Sequence, residues 1–253
     1  MTAASPRPEP GGYAETFAAF YDVWFGKPAV TGPTVDTLAG LANGCGRTAP
    51  VLELGVGTGR VALPLRARGI DVHGVDGSPG MVERLREKPG GADVPVTIGD
   101  FADVPVEGVF SVIYLAGGTF AELPSQRRQS DCFAAAARHL HPGGLLVLDA
   151  HVPEALALAA ERGPQVTHGA GGSLVVRHRT VDPSAQRCTS DYVITSGGRT
   201  HHVHVTFRYA GPGELDLMAT AAGLRLRHRW GTWSGTPFAR DSAYHVSVYE
   251  RPA

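Results

Sequence analysis

The chain has 253 residues, which is long enough for one large α/β domain with an insertion. Its formal net charge of −1 provides no bulk field toward nucleic acid or a membrane surface, so neither is expected as a partner. The three cysteines are widely separated and form no CxxC pair, which argues against a disulfide framework or a structural metal site. Because no apolar stretch reaches membrane-spanning length and no secretion signal opens the chain, we expect a cytoplasmic protein.

The N-terminal part of the chain changes character at residue 13. Residues 1–12 are rich in proline and glycine, and we expect them to form a disordered tail. Residues 13–45 then bring aromatic side chains at helical spacings. This pattern predicts a helix that either packs its apolar stripe on the domain or covers a ligand site as a lid. Within this predicted lid, the phenol of Tyr21, next to Asp22, is a candidate for contact with a ligand and with a reacting group.

A strand, a glycine-rich turn and the start of a helix follow one another from residue 51. The apolar sequence VLEL at 51–54 predicts a buried strand, and Gly55, Gly57 and Gly59 follow at alternate positions. Glycine is used where a turn needs positive φ or where the backbone must touch a ligand. The spacing lacks the sixth-position glycine of a dinucleotide fingerprint and the Gly-Lys-Ser/Thr of a phosphate loop. It predicts the first unit of a doubly wound α/β sheet, in which ligands bind at the carboxyl ends of the strands.

The next two predicted strands each end in an acidic residue. The second strand ends in Asp76 and Gly77, about 20 residues beyond the glycine turn, where a carboxylate accepts the hydroxyls of a cofactor ribose. The third strand ends in Asp100 and Phe101. This carboxylate can accept a hydrogen bond from the amine of an adenine while the aromatic ring stacks on the base. Met81, in the first turn of the intervening helix, can pack on the same adenine or belong to the core.

These motifs, in this order, resemble those of the class I S-adenosylmethionine (SAM)-dependent methyltransferases. The resemblance covers about residues 51–150 and begins with ELGVGTG at 53–59. It implies an α/β fold with a doubly wound, seven-stranded Rossmann-like sheet, SAM as the cofactor and a small-molecule acceptor. The alternative is a doubly wound domain for another adenosine compound. The cofactor-binding residues that we predict on this basis are Tyr21, Glu53, Gly55, Gly57, Gly59, Asp76, Gly77, Met81, Asp100, Phe101 and Leu115.

The fifth predicted strand, at 145–148, ends in Asp149, Ala150 and His151. Because the end of a central strand faces the ligand site, His151 is the best candidate for a general base, although a histidine there can also simply cap the strand. Tyr21 is the second residue that we place near the transferred methyl group as a catalytic candidate. Methyl transfer from a sulfonium chiefly requires the nucleophile to be held in line and water to be excluded. No fixed catalytic constellation is therefore expected.

The remaining segments divide the chain into a core and an insertion. Residues 46–160 hold the first five strands of the SAM-binding core. Residues 161–212 alternate β-branched and polar side chains between turn signals, which predicts an antiparallel β insertion on the acceptor side or in a dimer layer. In the third of its three predicted strands, at 199–209, the face that carries His202 and His204 is either solvated or lines an acceptor pocket. Residues 213–253 predict the last helix and strands six and seven of the core.

This layout, with an aromatic N-terminal helix and a strand insertion, is similar to that of the sugar N-methyltransferases of antibiotic biosynthesis. The similarity implies N-methylation of a nucleotide-linked deoxyamino sugar and pairing as a homodimer. An O-methyltransferase for a sugar or polyketide hydroxyl is the alternative reaction, and a SAM-binding partner protein without catalysis is the alternative class. A short-chain dehydrogenase is disfavoured because no tyrosine has a lysine four residues later.

Overall fold

We describe the fold from a computed structural model, which covers residues 21–22, 28–45, 49–168 and 173–253. The predicted disordered tail lies outside these described residues, and so do most aromatic side chains of the predicted lid. No helix in the described part of the chain is long and apolar enough to cross a membrane.

Strands and helices alternate up to residue 161, and consecutive strands follow. The described helices are α1 (Pro28–Gly44), α2 (Ala62–Ala67), α3 (Pro79–Arg86), α4 (Gln126–His139), α5 (Pro153–Glu161) and α6 (Pro212–Ala221), with a short 3₁₀ helix at Thr119–Glu122. The described strands are β1 (Val51–Leu54), β2 (Val72–Asp76), β3 (Val96–Ile98), β4 (Phe110–Leu115), β5 (Leu140–His151), β6 (Gln165–His168), β7 (Leu174–Asp182), β8 (Arg187–Ser196), β9 (Arg199–Arg208), β10 (Arg225–Trp230) and β11 (Tyr244–Glu250).

Seven of these strands form the central sheet, in the order β3-β2-β1-β4-β5-β11-β10. The strands β1 to β5 pair in parallel, whereas β11 runs antiparallel between β5 and β10. This arrangement confirms the predicted seven-stranded, doubly wound fold. The chain order reverses between β1 and β4, and the crevice at the carboxyl ends of strands at such a reversal is the usual ligand site of an open α/β sheet.

Both faces of the central sheet are covered by helices. Every residue of β1 and β4 is buried, as expected for parallel strands in the middle of such a sheet. On one face an apolar cluster joins the sheet to α4 and α6 through Phe133 and Leu215. On the other face a second cluster joins it to α1 and α2 through Leu38 and Leu65. The two clusters fix the strands, and therefore the positions of the strand ends.

The insertion forms a separate antiparallel sheet of four strands, β6 to β9, between α5 and α6. We predicted an antiparallel insertion here, but its first strand, with the four-residue sequence QVTH, is too short to show alternation. Along β7 the side chains of Val175, Arg177, Arg179 and Val181 share one face, because successive side chains of a strand point to opposite sides. Val181 packs with Leu156 of α5, so this inner face is turned toward the core.

Candidate active site

A cleft of about 500 Å³ lies at the carboxyl ends of β1, β2 and β3. This volume is within the range of ~300–1,000 Å³ that is usual for small-molecule sites. The glycine turn and both acidic strand ends meet here. The predicted residues that line the cleft are Tyr21, Gly55, Gly57, Asp76, Gly77, Met81, Asp100 and Phe101. The lining also includes residues that the sequence did not single out, among them Ser78, Thr119 and Glu122.

The glycine turn adopts positive φ at each of its three glycines, +77° at Gly55, +54° at Gly57 and +77° at Gly59. A Cβ atom at Gly55 would lie 2.3 Å from Cγ2 of Thr119, so close packing within the protein requires this glycine. A Cβ atom at Gly57 would meet no protein atom within 4 Å, although Gly57 lines the cleft. The open space beside Gly57 is therefore where a cofactor can approach the backbone.

Gly57→Ala is expected to weaken SAM binding about tenfold or more, because the new methyl group occupies the space beside the turn. The strain of alanine at positive φ should cost only about 1–2 kcal/mol of unfolding free energy. Gly69→Ala is the matched control, since Gly69 has a φ of +76° with open space around it and lies outside the cleft. Calorimetry with SAM and urea denaturation measure both variants. Equal SAM affinities would contradict a contact at Gly57.

Asp76, at the end of β2, ties the glycine turn to the start of α3. Its Oδ2 accepts a 2.7 Å hydrogen bond from the Gly57 amide, and its Oδ1 accepts a 2.8 Å bond from the Ser78 amide. Ser78 also caps α3, because its Oγ accepts from the Met81 amide at 3.3 Å. Burial raises the pKa of Asp76, and the two backbone hydrogen bonds oppose this rise. Each carboxylate oxygen keeps a lone pair for a further donor, so ribose hydroxyls fit this position.

Asp76→Ala is expected to weaken SAM binding by about 10- to 100-fold, because removing a buried acceptor costs about 1–3 kcal/mol. The control is Asp71→Ala, since the Asp71 side chain precedes β2 and is 63% exposed. Calorimetry with SAM measures the affinities of both variants. An affinity for SAM that is the same in Asp76→Ala as in the wild type would remove Asp76 from the site.

The Asp100 carboxylate is held at the rim of the cleft. Its Oδ1 accepts a 2.9 Å bond from the Ala102 amide, and its Oδ2 pairs with Arg128 at 2.7 Å. Arg128 also pairs with Asp103 at 2.9 Å, and it holds the pKa of the Asp103 carboxyl below its usual range. Phe101 packs against the core beside this group. The acid and the ring are thus placed at the same end of the cleft, where an adenine fits.

Glu53, Gly59 and Leu115 were predicted as cofactor-binding residues but do not line the cleft. The Glu53 carboxyl is buried and accepts a 2.8 Å bond from the Tyr114 hydroxyl. Burial raises the pKa of Glu53 to about 8, so the carboxyl is protonated at neutral pH. The Leu115 side chain belongs to the core. Glu53 and Leu115 thus support the cleft from within the protein, and Leu115 has only its backbone left for a ligand. A Cβ atom at Gly59 would lie 2.9 Å from Cγ of Leu63, so packing within the protein requires this glycine.

Tyr21 and Asp22 are held against the glycine turn by side-chain hydrogen bonds. Asp22 accepts a 2.6 Å bond from the Thr58 hydroxyl and pairs with Lys88 at 2.7 Å. Tyr21 lines the cleft and forms a hydrogen bond with Arg60. Burial raises the pKa of Tyr21, so its phenol stays protonated at neutral pH and can donate a hydrogen bond but cannot serve as a base.

His151 lies at a second cavity, of about 180 Å³, between the end of β5 and the insertion. Gly117 and Gly118 also line this cavity, and Glu122 lines both it and the cleft, so the two spaces border the same 3₁₀ helix. Burial lowers the pKa of His151, and the positive charge of Arg179 lowers it further. The imidazole is therefore neutral at pH 7 and able to accept a proton.

Asp149 connects the end of β5 to the loop that borders both spaces. It is 1% exposed and accepts hydrogen bonds from the amides of Gly117 at 2.9 Å and Gly118 at 2.7 Å. Nε1 of Trp233 donates to it at 2.8 Å, and the Tyr244 hydroxyl donates as well. The sequence placed Asp149 at a strand end but showed no role for it. The structure shows that it holds the Gly117–Gly118 turn in place.

The residues on the inner face of the insertion were also not predicted from the sequence as part of the site. Arg177, Arg179 and Ser190 line the second cavity from this face. His202 and His204, which the sequence placed on a solvated or pocket-lining face, are both exposed and do not line the cavity. Alternation alone could not show which face is turned inward, because both faces carry polar side chains.

The fold and the cleft define a Rossmann-like α/β protein that binds an adenosine-containing cofactor. The sequence model of a family described as a methyltransferase domain matches residues 51–144. The cypemycin N-terminal methyltransferase of a Streptomyces species is 31% identical over 207 residues, which are 81% of this chain and 84% of that protein. The structure of the CcbJ methyltransferase from Streptomyces caelestis has a TM-score of 0.85 at 35% identity, covering 97% of this chain and 100% of that chain.

The chain belongs to the SAM-dependent methyltransferases. Its cofactor is SAM, and the residues of the cleft fit that group, with open space beside Gly57 and carboxylates at Asp76 and Asp100. It is therefore an enzyme of the methyltransferase class. The predicted likeness to sugar N-methyltransferases is confirmed for the fold: SAM-bound CalS10, an amino pentose methyltransferase from Micromonospora echinaspora involved in calicheamicin biosynthesis, has a TM-score of 0.68 at 19% identity, covering 99% of this chain and 100% of that chain.

Proposed function

We propose that the enzyme transfers the methyl group of SAM to an amino nitrogen of its acceptor, and that a nucleotide-linked deoxyamino sugar is the acceptor class to test first. The observation that most supports methyl transfer at this site is the neutral His151, in a cavity that shares the 3₁₀ helix with the cofactor cleft and able to take a proton from an acceptor. The names of two similar proteins also support an amine, since one is a cypemycin N-terminal methyltransferase and the other an amino pentose methyltransferase. Homodimer formation and a cytoplasmic location stay predictions from the sequence.

In this proposal the cleft residues hold the cofactor in three places. Asp76 accepts hydrogen bonds from the ribose hydroxyls, and Asp100 accepts from the adenine amine beside Phe101. Gly57 lets the backbone approach the methionine part, and Tyr21 donates its phenolic hydrogen at that end. When bound, SAM supplies a methyl group on a sulfonium, which leaves as a neutral thioether.

His151 removes a proton from the acceptor nitrogen in this proposal. In the neutral imidazole of His151 one ring nitrogen carries a hydrogen and the other is free to accept a proton. An amine with a pKa of about 8–10 is mainly an ammonium ion at pH 7. A base must therefore take its proton before the lone pair can attack. The walls of the cavity hold the nitrogen in line and exclude water.

A methyl-transfer assay with paired acceptors tests the reaction. The purified enzyme is incubated with SAM and an amino sugar nucleotide, and in parallel with the sugar nucleotide that carries a hydroxyl in place of the amine. Mass spectrometry should find a methylated product from the amine, with fragmentation placing the methyl group on nitrogen. Methylation of the hydroxyl compound alone would make O-methylation the correct reaction.

A further inference from the structure

The second cavity places two arginines of the insertion on the wall that it shares with His151. Arg177 and Arg179 stand two positions apart on β7, so both side chains lie on its inner face. The cavity, at about 180 Å³, is smaller than the ~300–1,000 Å³ that a whole ligand usually occupies. It therefore suits one group of an acceptor, with the rest of the acceptor outside it.

Neither guanidinium has a carboxylate partner among the residues that the structure describes. Arg177 donates to the side-chain oxygen of Gln165, which is neutral, and Nε of Arg179 is buried without a hydrogen-bond partner. Glu122 lines the same cavity but forms no ion pair with either arginine. Two like charges that are half-buried side by side repel each other and lose hydration, which costs stability unless a ligand compensates for it.

Ser190 adds a second donor without an acceptor, beside Nε of Arg179. It lies directly opposite Arg179 in the register of β7 and β8, and it is 1% exposed. Its Oγ has no hydrogen-bond partner in the described part of the chain. A buried hydroxyl that is left unpaired is unfavourable, and native structures contain few of them. The three side chains together need a ligand that brings oxygen acceptors and negative charge.

We propose that the acceptor carries an anionic group, a carboxylate or a phosphate, which Arg177, Arg179 and Ser190 bind while the methyl-accepting atom faces His151. This inference rests on the proposed methyl transfer and adds the residues that bind an anionic group of the acceptor. A guanidinium group matches the paired oxygens of a carboxylate or a phosphate. Val205 and Phe207 also line the cavity, and an apolar surround strengthens charge-assisted hydrogen bonds.

Binding of simple anions tests the site without any acceptor. Thermal unfolding of the enzyme with S-adenosylhomocysteine is followed in pyrophosphate, in malonate and in chloride at equal ionic strength. We expect at least one of the first two to raise the Tm above that in chloride. A rise in pyrophosphate alone assigns a phosphate group, and a rise in malonate alone assigns a carboxylate. No rise with either anion in the wild-type enzyme would overturn the anion site.

Charge-removing variants assign the effect to the cavity. Arg177→Met and Arg179→Met should abolish the rise in Tm, whereas Arg187→Met, on the exposed outer face of β8, should keep it. Without anions the two cavity variants should be at least as stable as the wild type, because a repulsion is removed. A lower Tm in both Arg179→Met and Arg179→Gln would show that Arg179 has a structural role and would overturn the inference.

Paired amines separate the inference from the proposed function. Glucosamine 6-phosphate is compared with glucosamine, and an amino acid with its amide. We expect the anionic member of at least one pair to have a kcat/KM about 10- to 100-fold higher, and Arg179→Met to remove this preference while SAM affinity is kept. Methylation of amines without such a preference defeats the inference alone. Anion binding without methylation of any amine defeats the proposed function alone.

Discussion

Asp149→Ala is expected to lower the free energy of unfolding by about 3–5 kcal/mol. In the wild type the carboxylate accepts hydrogen bonds from the amides of Gly117 and Gly118 and from the indole of Trp233. The Tyr244 hydroxyl is a further donor. Alanine would leave the two glycine amides and the Tyr244 hydroxyl without this acceptor, whereas Nε1 of Trp233 would keep its 3.0 Å bond to the Tyr244 oxygen. Each buried group left unpaired costs about 1–3 kcal/mol. Urea denaturation followed by tryptophan fluorescence measures the loss.

Asp71→Ala is the matched control for this variant. The Asp71 side chain is 63% exposed and pairs with Arg66 at 3.4 Å, and a surface pair of this kind contributes about 0–1 kcal/mol. Asp149→Asn should lie between the two, because its amide keeps one acceptor oxygen but turns an N–H group toward other donors. A loss of less than about 1 kcal/mol in Asp149→Ala would show that the Gly117–Gly118 turn does not depend on this carboxylate.

The cofactor cleft was predictable because its signals are local. The GxGxG turn and the acids Asp76 and Asp100 each follow a short apolar strand, and the carboxyl ends of parallel strands share one edge of a sheet. The structure confirms the seven-stranded sheet and brings these residues to one cleft. Their binding roles stay predictions, to be decided by the affinities of the variants.

The acceptor side was not predictable because it depends on contacts between distant segments. The side-chain donors to Asp149 come from residues 84 and 95 positions away, and no local pattern indicates them. Arg177 and Arg179 alternate along β7 with His178 and Thr180, so both faces of the strand carry polar side chains. Which face turns inward is decided by the packing of β7 against α5 and of β9 against the 3₁₀ helix, and the sequence pattern of one strand does not contain that information.

His151→Gln is expected to lower kcat at pH 7 by about 10²- to 10⁴-fold, because glutamine cannot accept a proton. The affinity for SAM should not change, since His151 does not line the cofactor cleft. The pKa of His151 lies below the ordinary histidine value of about 6.5. The wild-type rate should fall as the pH is lowered through this pKa, because the imidazolium form has no free lone pair. Initial rates across pH and calorimetry with SAM measure both effects. His139→Gln is the matched control, because His139 is a half-buried histidine at the end of α4 and lies outside both spaces.

The pH dependence of His151→Gln also distinguishes the two acceptor atoms. An amine loses its proton to solvent as the pH rises toward about 8–10, so an amine substrate should restore much of the rate without the imidazole. A sugar hydroxyl does not ionise in this range, so its methylation should stay slow at every pH. Recovery at high pH therefore supports N-methylation and His151 as the base. Full activity of His151→Gln at pH 7 would show instead that His151 only forms part of the cavity wall.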